Sequence, residues 1–458
     1  MSKITGVILA AGKGVRMRSR LAKVLHPVAG VPMISHVVNA ARASGIERLV
    51  VVVGHGREQV VKAVADDTIQ FVVQEEQLGT GHALLQAEAA AAGSELILVL
   101  CGDTPLLRAR TLEKFIDFHR DSRAAATVLT AKMENPQGYG RIIRDDQGDI
   151  VRIVEEKDAT PEEREIREIN SGIYCFNGEV FGILKHVNRD NAQGEYYLTD
   201  VLLEYRKNGQ RVLAVPAAEE EDIYGINDRA QLAFAERILR QRKCLELMLA
   251  GVTIMDPATT YIDAQVKIGQ DTVILPFTMI EGQTVIGENC VIGPGARIIS
   301  SRIGDRVTID NSKIIESRVG DGCDIGPYAY IRPGTELHED VKIGDFVEVK
   351  KSVVGSGSKI PHLSYVGDAV IGRRVNVGAG TITCNYDGEK KHPTIIEDGA
   401  FIGSNTNLVA PVRIGEKAFT GAGSTITRDV PPFSLGVERA PQKVIDNWRH
   451  RRKKHDEE

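Results

Sequence analysis

No two of the six cysteines are spaced C-x-x-C. Cys101, Cys175, Cys244, Cys290, Cys323 and Cys384 are scattered along 458 residues, which excludes the usual zinc-ligand and dithiol motifs and fits reduced thiols in the cytosol. There is no basic excess either. The formal net charge is −5, so the positive field of a general nucleic-acid binder is missing. A nucleotide site, which needs only a few lysines and backbone amides, stays open. No apolar run approaches a membrane span: residues 4–11 are apolar but lead into a glycine-rich loop, and no secretory leader is recognisable. That loop, L-A-A-G-K-G-V-R-M-R-S at 9–19, carries neither G-K-[ST] nor G-x-G-x-x-G, so it is neither a Walker nor a dinucleotide loop. The expectation is a cytoplasmic protein with no nucleic-acid partner and no membrane association.

What is present divides in two. A chain of 458 residues exceeds what one core usually organises, and 42% hydrophobic with 26% charged residues is ordinary for a soluble globular protein. In the first half strand-like and helix-like stretches alternate: Ile4 to Ala10, then a helix at 31–44, Leu49 to Val53, a helix at 57–65, Phe71 to Val73, Leu96 to Leu100. Such alternation predicts βαβ units and a mainly parallel, Rossmann-like sheet. Ligands of such sheets sit beyond the C-terminal strand ends, which brings Ala11 to Arg16 and Cys101 to Asp103 to one mouth. Residues 229–250 read as a helical linker with Leu232, Ala235, Ile238, Leu239, Leu245 and Leu249 on apolar faces.

After the linker the period becomes six. Ile262, Ile268, Ile274, Ile280, Ile286, Ile292 and Ile298 recur without a miss; a second register runs Val319 to Val349 and a third Ile402 to Ile426. Neither an α-helix nor an ordinary strand has that period. A left-handed parallel β-helix has it, because each face of a triangular coil is one hexapeptide. Glycine, concentrated in this half, permits the corners. One insertion, at about 381–395, breaks the repeat, and excursions from rigid solenoids carry function. The expected division is 1–228, a linker at 229–250, and a β-helix at 251–458 whose end, R-H-R-R-K-K-H-D-E-E, is a solvated tail.

The glycine-rich loop follows the first strand, so its amides can bind an anion, with Lys13, Arg16 and Lys23 adding charge; a plain tight turn remains an alternative for such a loop alone. Further segments narrow the reading: K-V-L-H-P-V-A-G, Q-L-G-T-G-H-A (77–83), G-D-T-P-L (102–106), G-Y-G-R-I (138–142), V-E-E-K-D-A (154–159), E-I-N-S-G-I (168–173), N-A-Q-G-E-Y-Y-L-T-D (191–200) and G-I-N-D-R (225–229). In this order they resemble the sugar-nucleotide pyrophosphorylases. With the hexapeptide half, residues 4–445 resemble the bacterial bifunctional N-acetylglucosamine-1-phosphate uridyltransferase / glucosamine-1-phosphate acetyltransferase family.

The resemblance implies acetylation of glucosamine-1-phosphate by acetyl-CoA, then transfer of UMP from UTP to N-acetylglucosamine-1-phosphate with Mg2+, supplying UDP-GlcNAc for peptidoglycan and lipopolysaccharide. It implies that Leu9, Ala10, Ala11 and Gly12, with Gln74, Gly79 and Thr80, hold the uridine. Arg16 and Lys23 would face the phosphates. Gly140, Glu155 and Asn170 would bind the amino sugar, with Asn227 also lining the nucleotide site. Asp103 and Asn227 match the metal ligands; the strand-end position and the G-D pair favour a ligand over the alternative, a carboxylate that merely caps the turn before Pro105. The chain departs from the family at Cys101, where tyrosine is frequent, and at Val15, where threonine is.

In the repeat half, P-H-L-S-Y-V-G-D (361–368) puts His362 just past inward-facing Ile360. An amine attacking a thioester must lose a proton, and a histidine titrating near neutrality suits that work. Taken alone, His362 reads first as a solvated surface side chain. The resemblance assigns it the base role, and places Arg332, Lys350, Tyr365 and Asn376 around glucosamine-1-phosphate. It lines the acetyl-CoA groove with Ala379, Asn385, Tyr386, Ser404, Ala422 and Arg439, and implies a homotrimer with that groove between solenoids. Pro361 replaces a frequent glycine. Cys384 reads as a bystander, since direct amine attack needs no acyl-enzyme. Two other readings remain: nucleotidyl transfer alone on an architectural β-helix, and a silent regulatory subunit.

Overall fold

The computed structural model describes residues 3–449; the basic tail from residue 450 onward lies outside them. The chain divides into two compact units, Met1–Arg242 and Lys243–Glu458.

The first unit is built on nine strands: β1 (Ile4–Ala10), β2 (Arg48–Val53), β3 (Ile69–Val73), β4 (Leu96–Cys101), β5 (Ala126–Lys132), β6 (Arg141–Arg144), β7 (Ile150–Val154), β8 (Glu168–Asn177) and β9 (Val212–Pro216). The sheet order is β9-β5-β8-β4-β1-β2-β3, with the β6–β7 hairpin added beside β8. Only β8 and β7 run against the other strands of this sheet. The central strands are apolar throughout because both sheet faces are covered. Ile8, Leu49, Val51, Leu98 and Leu100 pack to one side, while Val7, Val50, Val52, Ile97 and Val99 pack to the other. The helices expected at 31–44 and 57–65 are Met33–Ala43 and Arg57–Val64. From β1 the chain winds outward through β2 and β3, then returns to place β4 on the opposite side of β1. That reversal opens a crevice at the C-terminal ends of β1 and β4.

Helix Arg229–Leu249 contains the boundary between the units. Ala235 and Ile238 are buried as expected. Leu245 and Leu249 are not: they are 53% and 81% exposed, and Cys244 and Leu247 take the buried positions. The correction follows from helical phase. Residues 244 and 247 share a face that 245 and 249 leave.

The second unit is a parallel β-helix of three sheets, of eleven, ten and nine strands. Each strand pairs with one a coil later, Ile262 on Ile280 and Ile280 on Ile298. The inward aliphatics form one continuous core. Between the first two sequence registers the repeat does not stop: Ile298, Ile303, Ile309, Ile314 and Val319 all point inward. Here some faces are one residue shorter. At these corners Ser300 and Glu316 adopt positive φ, and the buried hydroxyls of Ser301 and Ser317 donate to the carbonyls of Ile299 and Ile315. A serine capping its own turn replaces the longer corner. The excursion leaves after Ile382–Cys384 and returns at Thr394–Ile396, with a bridge between Tyr386 and Lys391.

Candidate active sites

At the crevice of the first unit, Leu9, Ala10 and Ala11 form the end of β1 and the start of the loop, and the Gly102 amide donates to the Leu9 carbonyl at 3.0 Å. Gly12 is exposed. Gly14 has φ +59, and a side chain there would collide with the Lys23 stem. The loop thus packs directly on the lysine. Lys23 Nζ forms an ion pair with Asp103 and donates to Asn227 Oδ1 at 2.7 Å; Arg16 donates to the same oxygen at 2.8 Å. Gln231 accepts from the Asn227 amide at 2.6 Å and fixes its backbone. Four residues remote in sequence therefore meet at one point.

This cluster tests the fit of a divalent cation. A carboxylate and an amide oxygen converge on one ammonium, so the donor set already holds a positive charge. Both are the hard oxygen ligands Mg2+ prefers. Among the described residues no group of three or more His, Cys, Asp or Glu could hold a metal. Two protein oxygens suit an ion that completes its octahedron with phosphate oxygens and water.

Gln74 is buried after β3; its amide nitrogen lies 3.1 Å from the Gly79 carbonyl and from His82 Nδ1. Gly79 needs its φ of +107, and a Cβ there would meet the Tyr196 carbonyl at 2.6 Å. Thr80 opens the next helical turn and its hydroxyl accepts from the Leu198 amide. The proposed sugar residues also adjoin: a Cβ on Gly140 would lie 3.4 Å from Glu155 Oε1 and 3.5 Å from Asn170 Cβ. Tyr174 donates to Asn170 Oδ1 at 2.9 Å. Burial, and after it the charges of Asp158, Asp200 and Glu195, push Glu155 up to about 7. Burial pushes the Cys101 thiol up to about 12, so it stays protonated and donates to the Gly172 carbonyl. A neighbouring cavity of about 810 Å3 shares Arg16, but Glu134, Glu156, Glu220, Glu221 and Asp228 line it, a poor seat for a triphosphate.

In the β-helix, His362 ends strand Lys359–His362, with its side chain 57% exposed, two residues beyond fully buried Ile360. The coils above carry Ala379, Ser404 and Ala422 at the same corner, linked by Asn405 N to Ala379 O and Gly423 N to Ser404 O. Arg439 donates to the Ala422 carbonyl at 3.1 Å. The next face carries Tyr365 and Lys350, with Arg332 one coil below Lys350. Arg332 pairs with Glu348 at 2.6 Å. Asn376 stands on the face of His362, between Lys359 and Phe401, rather than with the cations. In the excursion, Asn385 is buried and donates to Asp368 at 2.5 Å, while Tyr386 is exposed. Burial raises the Cys384 thiol, which suits a bystander.

Sequence reasoning missed two neighbours. The Lys391 side chain reaches Lys350 and lowers its basicity; a lysine in the single excursion was the available signal. Asp345 lies against His362, and the repeat, which stacks G-D-F beneath P-H-L, could have found it.

A crevice lined by Arg16 and Lys23 on a mainly parallel sheet, in one chain with a hexapeptide solenoid that bears a surface histidine, defines a two-part group-transfer protein. Residues 5–228 match the Nucleotidyl transferase family, 257–345 the GMPPB C-terminal domain and 393–428 the Bacterial transferase hexapeptide (six repeats) family. The chain is 62% identical to the Bifunctional protein GlmU of Syntrophomonas wolfei subsp. wolfei, over 97% of this chain and 99% of that one. It is 55% identical to the protein of that name from Heliobacterium modesticaldum, over 99% of each. Identity to the one from Listeria monocytogenes serotype 4b is 52%, over 96% and 97%. A solved UDP-glucose pyrophosphorylase complexed with UDP-glucose aligns at TM-score 0.44 and 19% identity, over 53% of this chain and 100% of that one. The chain belongs to the bifunctional GlmU family.

Proposed function

We propose that this chain acetylates glucosamine-1-phosphate with acetyl-CoA and then joins the product to UMP from UTP, giving UDP-GlcNAc and pyrophosphate for peptidoglycan and lipopolysaccharide synthesis. The observation that carries the reading is the coexistence of two built clusters in one family member: Arg16, Lys23, Asp103 and Asn227 at the sheet crevice, and His362 at the solenoid corner.

In the first reaction the amine nitrogen attacks the thioester carbonyl carbon. The N–C bond forms, the C–S bond breaks, and the amine proton passes to His362 Nε2 and on to the departing sulfur. Arg332 and Lys350, with Lys391 beside them, present cationic donors to the sugar phosphate; Tyr365 and Asn376 would orient the sugar. Ala379, Ser404, Ala422 and Arg439, with Asn385 and Tyr386 from the excursion, form the acetyl-CoA groove.

In the second reaction the sugar-phosphate oxygen attacks the α-phosphorus of UTP and the bond to the pyrophosphate breaks. No side-chain nucleophile is needed; positioning and charge neutralisation do the work. Leu9 to Gly12, Gln74, Gly79 and Thr80 hold the uridine, Arg16 and Lys23 the phosphates, and Gly140, Glu155 and Asn170 the N-acetyl sugar. Asp103 and Asn227 would hold Mg2+, which neutralises phosphate charge when bound. We assign the working form as a cytoplasmic homotrimer, because a coenzyme groove between solenoids requires a second copy. Among the described residues no helix is long and apolar enough to cross a membrane.

The test is a substrate panel with purified protein. Glucosamine-1-phosphate should be consumed only with acetyl-CoA, and N-acetylglucosamine-1-phosphate only with UTP and Mg2+. Uridylyl transfer without acetyl transfer would leave an architectural solenoid; neither activity would leave a silent subunit.

A further inference from the structure

The repeat places Asp345 one coil below His362 at the same corner. The strands pair the two residues directly, and Asp345 Oδ1 lies 2.5 Å from His362 Nδ1. We propose that Asp345 is the positioning residue of the acetyl-transfer base, fixing the ring so that its lone pair sits on Nε2. This rests on the reading of His362 as that base.

The tautomer follows from chemistry. An ionised carboxylate has no hydrogen to give, so the proton in this contact belongs to Nδ1. Asp345 is held ionised: the hydrogen bond from His362, and after it its own backbone amide, keep its carboxyl below the usual carboxylate range. Neutral His362 is therefore the Nδ1–H form, and Nε2 is left free to accept the proton of the attacking amine. When it does, a positive ring forms beside a fixed negative charge, and the hydrogen bond gains the attraction of an ion pair. When the proton leaves with the thiolate, the original state returns with Asp345 still ionised.

The surroundings leave this role to Asp345. Strand Lys359–His362 lies between Lys342–Asp345 and Asn376–Val377. The first contributes Lys342, whose ammonium is 2.9 Å from Asp324, and Asp345 itself; the second has no titratable side chain. The strand's own Lys359 is exposed. Ala379, Ser404 and Ala422, at the same corner, do not titrate. On the next face Glu348 pairs with Arg332, Lys350 meets Lys391, Tyr365 presents a phenol, and Asp368 accepts from Asn385. The placement is also rigid. The Leu363 amide donates to the Asp345 carbonyl at 2.9 Å, and the ring of Phe346, at φ 56°, stacks on Tyr328. Both partners stand on stacked coils rather than on the excursion.

The experiment compares Asp345→Ala, Asp345→Asn and His362→Ala in the full chain. It measures acetyl-transfer rate from about pH 5.5 to 9, the KM for acetyl-CoA, uridylyl transfer and melting temperature. Asp345→Ala should lower acetyl-transfer kcat about 10- to 100-fold, as loss of an outer partner does elsewhere, with the acetyl-CoA KM nearly unchanged. Removing a negative neighbour disfavours the protonated ring, so the acidic limb of the pH profile should move to lower pH. Asp345→Asn keeps an oxygen for Nδ1–H but no charge; it should retain more rate than Ala and show the same limb shift. Wild-type rate and limb in both Asp345 variants, with His362→Ala inactive, would overturn this proposal and leave the base assignment standing. Near-normal acetyl transfer by His362→Ala would remove the base assignment and this proposal with it. A slow, less thermostable Asp345→Ala whose limb has not moved would mark a structural residue, and would also overturn it.

Discussion

Lys23 touches both Asp103 and Asn227, so each oxygen donor is held in place before any nucleotide arrives. Removing the carboxylate leaves an ammonium with half its partners and the proposed cation site with one protein ligand. Asp103→Ala should lower uridylyl transfer by about a hundredfold or more while acetyl transfer stays normal; parallel assays on one preparation check this, and equal loss of both without unfolding would contradict it. Glu155 makes a different prediction. Its carboxyl titrates near 4.5 when unfolded but is pushed up to about 7 by burial and then by Asp158, Asp200 and Glu195. Below the lower value both states are protonated and nothing is lost. As pH rises through this window the unfolded chain ionises while the fold resists, so stability falls and then levels off. Glu155→Gln should therefore stabilise the first unit by on the order of 2 kcal/mol at about pH 8, and hardly at all near pH 4. Calorimetry of the whole chain at the two pH values reads the difference, and a gain of equal size at both would exclude this account.

Among the elements, the solenoid coils are spaced so closely that side-chain size at the corners decides whether they stack. A Cβ on Gly344 would run into the Pro361 carbonyl, immediately before His362. Gly344→Ala should push that coil away from the one below and cut acetyl transfer more than about tenfold, since misplacement of about an ångström can cost that much or more. Uridylyl transfer should persist. Wild-type acetyl transfer in this variant would mean that the corner yields without moving the histidine. The period of six was legible because every coil repeats the same inward demand. The shortened faces were not: a serine hydroxyl that caps its own turn, as Ser301 and Ser317 do, looks in sequence like an end of the repeat. In helix Arg229–Leu249 the apolar stripe was legible only over the first unit. Beyond it the buried phase is set by what Cys244 and Leu247 pack against.

At the scale of the molecule, each unit has its own core and its own proposed chemistry. A fragment of about 230 residues from the N-terminus should keep uridylyl transfer, and the complementary fragment acetyl transfer. Solubility and both assays test this; two insoluble or inactive fragments would show that the units depend on each other. In one chain, His362 and Asn376 share a face while Lys350 and Tyr365 belong to the next, and a neighbouring solenoid would complete a groove across them. For the proposed trimer, light scattering should give about three chains per particle, a closed cyclic assembly whose copies share each site. A fully active monomer would contradict the shared groove.

The sequence by itself determined the two periods, the glycine loop after the first strand and the hexapeptide stacking, because each is a local demand repeated or bounded within a few residues. It also placed His362 outside the core, two positions past an inward isoleucine. What only the tertiary structure decided are the meetings between remote segments. Residues 16, 23, 103 and 227 converge because β4 returns beside β1. Glu155 is pushed up because the fold buries it and brings Asp200 and Glu195 of a remote segment towards it. Asp345 reaches His362 because one coil lies on another in register. Side-chain partnership depends on distance in space, and along the chain these partners are separated by anything from 17 residues to more than 200.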